Sequence, residues 1–456
     1  MKLFKENFFP LLMLAIPLTL TGLLQSSTYF FETMFLAHLG PEALAAGALV
    51  SWLFGTFIVI LIGILSSINI LVAHKFGAKD YAGIPLVVRD GIWLAILLAI
   101  PSFILFWNLS PIFILLGQNP AVVHLAQTYL QALAWGLLPN FLMFALLQFI
   151  VGLGHARVIL TFSILSVSLT IFLSFSLIFG KFGFPALGVA GAGWGTSISY
   201  WISAVFLIIY VLCNTKYRAY LSHLFTRTKQ SYVMELFKIG APMGIMYCVE
   251  VGFFFALTLV MGSLGSQLLA ANQIALQYMG TLMSLIFSIA QAITVRMGHL
   301  LGAGEVASAE RACYVGVFLA ALLMIVIAVF YWTIPTTLIS IDFDIHDANN
   351  LEIILLATQL LAISAVFQLV EGIRIAFFGA LRALKDTRFT LFISVISFWG
   401  IAFPVGYLFT VHMGLGGAGL WWGMVVGASS SVLLLLWRFK YKIKNDFNYS
   451  STHELP

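Results

Sequence analysis

Apolar residues run along this chain in long blocks separated by short polar breaks, with no two-residue alternation that would suggest strands. About 20 apolar residues, within a range of about 17 to 25, span a bilayer, and twelve blocks reach that range. In the first half they run approximately Leu11 to Leu39, Leu44 to Ala73, Gly91 to Trp107, His124 to Val151, Val158 to Phe179 and Gly188 to Val211. The second half gives Ile239 to Leu264, Leu268 to Val295, Cys313 to Ile334, Leu351 to Leu381, Phe389 to Val411 and Gly416 to Arg438. The pattern predicts an all-α membrane protein of twelve transmembrane helices.

The two halves are copies. Pro17 to Asp80 lies over Pro242 to Glu305 without a gap, so that Leu39-Gly40 meets Leu264-Gly265, Leu44-Ala45-Ala46 meets Leu269-Ala270-Ala271, and Gly77-Ala78 meets Gly302-Ala303. Further on, Leu153-Gly154 meets Leu384-Lys385, and Gly188 to Gly193 meets Gly414 to Gly419. Each half has an even number of spans, so both enter the membrane from one side as parallel repeats, an arrangement typical of transporters. The expected organisation is an N-lobe over 1–213, a polar linker over 214–237 with Lys216, Arg218, Arg227 and Lys229, and a C-lobe over 238–456.

Charge sets the orientation. Of 22 Lys and Arg, all but Lys181 and Arg374 map to the side that holds both termini and the linker, which makes that side cytoplasmic. The longest opposite loop carries Asp342, Asp344 and Asp347, which suits cation traffic and ordinary charge bias equally. Hydrophobic residues are 61% of the chain and charged residues 9%, so the pI near 9.0 reflects membrane orientation and not nucleic-acid binding. Lys2 and Lys5 before an apolar run resemble a signal peptide, yet the run continues past Glu32 and has a counterpart around Pro242, so it is read as a helix. Cys213, Cys248 and Cys313 are too scattered for a disulfide framework or metal site and are read as packing residues.

Against this apolar background, Glu32, Glu250 and Glu371 stand out as carboxylates well inside predicted spans. With Arg374 they would cost on the order of 10 kcal/mol if left bare, at about 2.5 to 3.5 kcal/mol each. Protonation, mutual pairing, a bound cation or a wet cavity must offset that cost, and pairing alone would merely lock the bundle. The repeat partner of Glu250 is Gln25, so both halves are polar at one depth. Glu32 lies two turns beyond Gln25, and Gln25, Tyr29 and Glu32 are expected on one helix face. Arg374 follows Glu371 by one turn, and an intrahelical pair is the simplest reading, with substrate contact as the alternative. Tyr29, Tyr247, Phe253 and Tyr278 near these acids would suit flat, lipophilic cations if they line a cavity. Packing is the competing role for each of them.

Other chemistry drops out. Gly414 to Gly419 fits G-x-G-x-x-G, but it follows a membrane span and has a copy at Gly188 to Gly193, so it reads as close packing at a helix start. No P-loop is present, which leaves an ion gradient as the energy source for pumping. His74 and His299 occupy equivalent helix ends and are read as structural; the nine His show no ligand spacing. No cluster suggests an enzyme.

In sequence order, Phe31-Glu32-Thr33 before His38-Leu39-Gly40, Gly240-Ala241-Pro242 leading to Glu250, Val295-Arg296-Met297-Gly298 before Gly302-Ala303-Gly304-Glu305, and Glu371 before Gly379-Ala380-Leu381-Arg382 resemble the MATE family of multidrug and toxic compound extrusion transporters. The likeness runs from Phe8 to about Lys440 and is to the NorM-like bacterial branch, with some eukaryotic-type features at Glu371. It implies two six-helix lobes around a central cavity and efflux of organic cations in exchange for H+ or Na+, by alternating access in a bacterial inner membrane. By the same resemblance Glu250 and Glu371 match the cation-coupling carboxylates, with Na+ as one ligand they would take, and Glu32 matches the first-helix acid. Bacterial relatives usually carry Asp where Glu32 and Glu371 stand, and Arg374 lies outside the family pattern. A monomer without cofactor is expected. The alternative, a lipid-linked oligosaccharide flippase of the same superfamily, predicts fourteen spans and a basic cavity; this chain has twelve spans and buried acids.

Overall fold

A computed structural model describes residues 2–115, 117–221, 230–340 and 350–447. Twelve helices are long and apolar enough to cross a membrane: α1 Glu6–Ala37, α2 Pro41–Gly77, α3 Ile84–Trp107, α4 Pro120–Gly152, α5 Ala156–Phe179, α6 Val189–Cys213, α7 Val233–Leu264, α8 Ser266–Gly302, α9 Val306–Thr333, α10 Leu351–Ala383, α11 Thr387–Val411 and α12 Gly417–Asn445. Each predicted block coincides with one of them. The helices overrun the blocks mainly at the ends that carry Lys and Arg, where α3 already contains Arg89 and Asp90, and α9 contains Arg311. Hydropathy marks the hydrocarbon-soluble part of a helix, whereas hydrogen bonding carries the helix on into the headgroup region. Arg227, Lys229, Asp342, Asp344 and Asp347 lie outside the described residues.

The internal duplication is visible in the connections. Left-handed backbone occurs at Gly40 and Gly265 before α2 and α8, at Lys79 and Gly304 after them, and at Gly154 and Lys385 before α5 and α11. These are the positions that superimpose in sequence. Two of the pairs set a lysine opposite a glycine, so the turn geometry is kept even where a Cβ makes it unfavourable.

Two compact units result, one of Ile16–Gly244 and the other of Met1–Ala15 with Ile245–Pro456. The division therefore falls inside α1 and α7, beside Pro17 and Pro242, where a proline removes one helical hydrogen bond. The described end of the linker belongs to the first unit: buried Asp90 accepts the backbone N–H of Tyr232 and Arg89 Nε at 2.8 Å, and Arg89 Nη2 donates to the Gln230 carbonyl at 3.0 Å. Within that unit α4 packs on α2, α3 and α6, and α5 on α6; in the other, α10 packs on α8, α9 and α12. Three of the described helices are irregular, α12 running on as π-helix over Ile443–Phe447. α2 is interrupted at Ser66, whose hydroxyl bonds back to the Ile62 carbonyl at 2.7 Å, and α11 is π-helical over Ile396–Ala402.

Orientation can be tested with single cysteines in a chain lacking Cys213, Cys248 and Cys313. A cysteine at exposed Ser231 is expected to react only with reagent on the cytoplasmic side, and one at exposed Ser266 only with external reagent. External labelling at position 231 would overturn the orientation read from Lys and Arg.

Candidate functional site

Each unit holds its own buried acid cluster. In the first, Glu32 of α1 is only 7% exposed, and its two oxygens accept from Thr196 Oγ1 of α6 at 2.8 Å and Tyr129 Oη of α4 at 3.3 Å. Burial of a charge inside an apolar bundle is tolerable when hydrogen bonds replace water, and these two hydroxyls replace part of that water for Glu32. Gln25 and Tyr29, expected on the same face, are exposed on the surface of the unit, with Tyr29 at 46%. Glu32 points inward from that surface.

Small residues on α6 make this possible. A Cβ on Gly195 would meet the Ser174 backbone nitrogen of α5 at 2.5 Å, and one on Gly193 would meet the Tyr129 carbonyl of α4 at 2.7 Å. Thr196 and Tyr129 are brought onto Glu32 by these close approaches. The equivalent stripe in the other unit behaves alike, Gly419 lying against Thr410 of α11. We expect Gly195→Val to force α5 and α6 apart and to lower stability by about 1 to 3 kcal/mol, the usual cost of overpacking. Thermal unfolding in detergent checks this; an unchanged midpoint would show that the helix pair is not tightly constrained.

In the second unit, Glu250 of α7 and Glu371 and Arg374 of α10 converge. Arg374 grips Glu371 with two nitrogens, Nε at 2.7 Å from Oε2 and Nη2 on Oε1, and reaches across to Glu250 Oε1 with Nη1 at 2.9 Å. Ser394 Oγ of α11 donates to Glu250 Oε1 at 3.2 Å, and the Phe378 and Phe398 rings lie 4.5 and 4.8 Å from the guanidinium carbon. Arg374 and Glu371 are 1% exposed. The expected Glu371 to Arg374 pair is therefore present and is half of a larger cluster joining three helices. With both acids ionised the triad carries one net negative charge, and one added proton brings it to zero.

The aromatic candidates separate. Tyr247, half-buried, accepts from Arg382 Nη2 at 2.8 Å, and its ring lies 5.6 Å below the same guanidinium. Phe253 is 1% exposed and packed on Phe398 with ring centroids 4.9 Å apart, so it is part of the core. Tyr278 donates to the Leu338 carbonyl at 2.7 Å and packs edge-on against Tyr331. Tyr129, Thr196, Ser394, Phe378 and Phe398 were not singled out from sequence. Only the Gly-rich start of α6 hinted that its neighbours close in on something.

Among the described residues no three His, Cys, Asp or Glu side chains form a group that would hold a metal. A cavity of about 300 Å³ opens near the end of α7 and the starts of α8, α10 and α12, lined in part by Leu264, Gln267, Glu352 and Gly416. It contains none of the cluster residues.

A family profile described as MatE matches residues 17–176 and 242–408, one match in each half. The chain is 35% identical over 430 residues to a probable multidrug resistance protein NorM of Burkholderia mallei, covering 94% of this chain and 92% of that one. It is 34% identical over 436 residues to a probable NorM protein of Pseudomonas putida, with 95% and 94% covered. In fold it is similar to a crystal structure of a MATE protein in a bent conformation, at TM-score 0.88 and 19% identity, covering 99% of this chain and 98% of the other.

Proposed function

This chain belongs to the MATE family of membrane transporters, and from that premise we propose that it is a multidrug efflux antiporter that expels lipophilic organic cations in exchange for inward H+ or Na+. The observation that carries the reading is the Glu250–Arg374–Glu371 cluster, a buried charged site that links α7, α10 and α11. Intramembrane ionisable residues of this kind mark ion pathways more often than plain scaffolding.

The division of labour follows the two units. Glu250 and Glu371 are the coupling acids, because a change of one charge in their triad alters how three helices are held together. Glu32 is the counter-charge for the substrate, with Gln25 and Tyr29 on the accessible side of it and Tyr129 and Thr196 holding it from within. Neutralising the triad changes how α7, α10 and α11 are held, so the loaded ion and a cationic drug at Glu32 favour different states of the protein and exclude each other. The protein then alternates between inward-open and outward-open states whose populations follow the differential affinity of each ligand. One pH unit supplies about 1.4 kcal/mol per proton and 100 mV about 2.3 kcal/mol per charge, enough for either gradient to concentrate a cation. We place the protein in a bacterial inner membrane, acting as a single chain with both termini cytoplasmic.

Purified protein in liposomes tests the reading. Ethidium is expected to move against its gradient when a pH gradient or a sodium gradient is imposed alone. No movement under either gradient, with correctly inserted protein, would sink the antiport assignment.

A further inference from the structure

We propose that Arg374 is a cation built into the second unit's acid site, standing where a sodium ion would otherwise be held and making this transporter independent of sodium. The proposal rests on Glu250 and Glu371 being the coupling acids. The residues present do not fit a bound sodium ion. A hard cation needs several oxygen ligands at once, and three of the four carboxylate oxygens here are already committed to Arg374. Only Glu250 Oε2 takes no hydrogen bond among the described residues. The remaining lining is wrong for a metal as well, since Phe378 and Phe398 offer ring faces and no oxygen.

For a guanidinium the same surroundings are complementary. A planar fork matches the two oxygens of Glu371, the third nitrogen reaches Glu250, and the rings stack against a weakly hydrated planar cation as they would not against a compact hydrated one. A second cation among these oxygens would face like-charge repulsion in a medium of low dielectric constant. The arginine is covalently held and cannot leave during the cycle. What remains for an external ion is one negative charge, and Glu250 is the more open of the two acids, its side chain 10% exposed against 1% for Glu371. Sodium is thereby excluded as the partner of this pair and the proton is left.

A purely structural rivet would give the same geometry but no ion specificity, so the test reads ion response. Wild-type protein in detergent is expected to unfold at the same temperature in sodium chloride and in choline chloride of equal ionic strength. Arg374→Ala leaves two carboxylates and Ser394 Oγ around a missing positive charge. It should unfold several degrees lower in choline and recover saturably as sodium is added. Arg374→Lys keeps the charge and should stay insensitive to sodium, and adding Glu250→Gln to Arg374→Ala should remove the recovery. A wild type stabilised by sodium, or a folded Arg374→Ala protein with no sodium-specific recovery, overturns the proposal. Should Arg374→Ala fail to fold, wild-type liposomes decide: ethidium efflux under a sodium gradient alone refutes the idea, and efflux under a pH gradient only supports it. Ethidium moving under neither gradient would instead defeat the antiport reading, leaving the sodium response of the purified proteins to judge Arg374.

Discussion

Glu371→Gln is expected to abolish gradient-driven ethidium efflux while leaving the protein inserted and folded. Glutamine keeps one oxygen for Arg374, so the bidentate grip seen at Glu371 becomes a single bond to a neutral acceptor. Losing one charge-assisted hydrogen bond costs about 1.5 to 3 kcal/mol, within what a large membrane bundle survives. The electrical consequence is larger for function. The triad passes from one net negative charge to zero and stays there, so it imitates the ion-loaded state permanently and cannot respond to a gradient. Glu250→Gln removes the same charge from the other arm and should give the same loss, with a smaller fall in stability because Glu250 accepts one arginine nitrogen and one hydroxyl and not two arginine nitrogens. Efflux assays in liposomes and thermal unfolding of the same preparations check both parts. Full transport by both variants would remove these acids from the coupling role. Glu371→Ala differs in kind: it strands Arg374 with one partner and a void, and breaking a buried pair in that way costs about 3 to 5 kcal/mol.

At Glu32 the expected effect is selective. Glu32→Gln should weaken binding of ethidium by about 1 to 3 kcal/mol, the scale of one desolvated charge contact, and leave an uncharged ligand of similar size nearly unaffected. The amide can still accept from Thr196 or Tyr129, so the local packing of α1, α4 and α6 is kept and only the charge is lost. Tyr129→Phe and Thr196→Val make the complementary change, keeping the carboxylate and removing one hydroxyl each. Binding of a charged and a neutral ligand to the three variants separates the roles. Equal loss for both ligands in Glu32→Gln would identify Glu32 as a coupling group, and the counter-charge for the substrate would then have to lie elsewhere.

Helix number, the duplication and the three acids were all legible in the chain. Within hydrocarbon every backbone N–H and C=O must be satisfied inside its own segment, so long apolar blocks have no alternative to the helix. A carboxylate in such a block is conspicuous because nearly everything around it is apolar. The direction in which each helix turns its faces was not legible. Lipid and protein interior are equally apolar, so a membrane helix carries no polar stripe to say which side is buried, and an aromatic residue looks the same in either place. Phe253 in the core, Tyr29 on the surface and Tyr278 tied to the Leu338 carbonyl differ only through tertiary packing. The same holds for partners. Arg374 could be paired with Glu371 from their spacing of three, but its bond to Glu250 spans 124 residues, and the bonds of Glu32 to Tyr129 and Thr196 span 97 and 164. The break at Ser66 likewise has no proline to announce it, whereas Pro404 stands just past the π-helical stretch of α11. Sequence determined which charges had to be offset inside the membrane, since that cost depends on the residue and its block alone; the tertiary structure decided what offsets them, since that depends on which helices stand side by side.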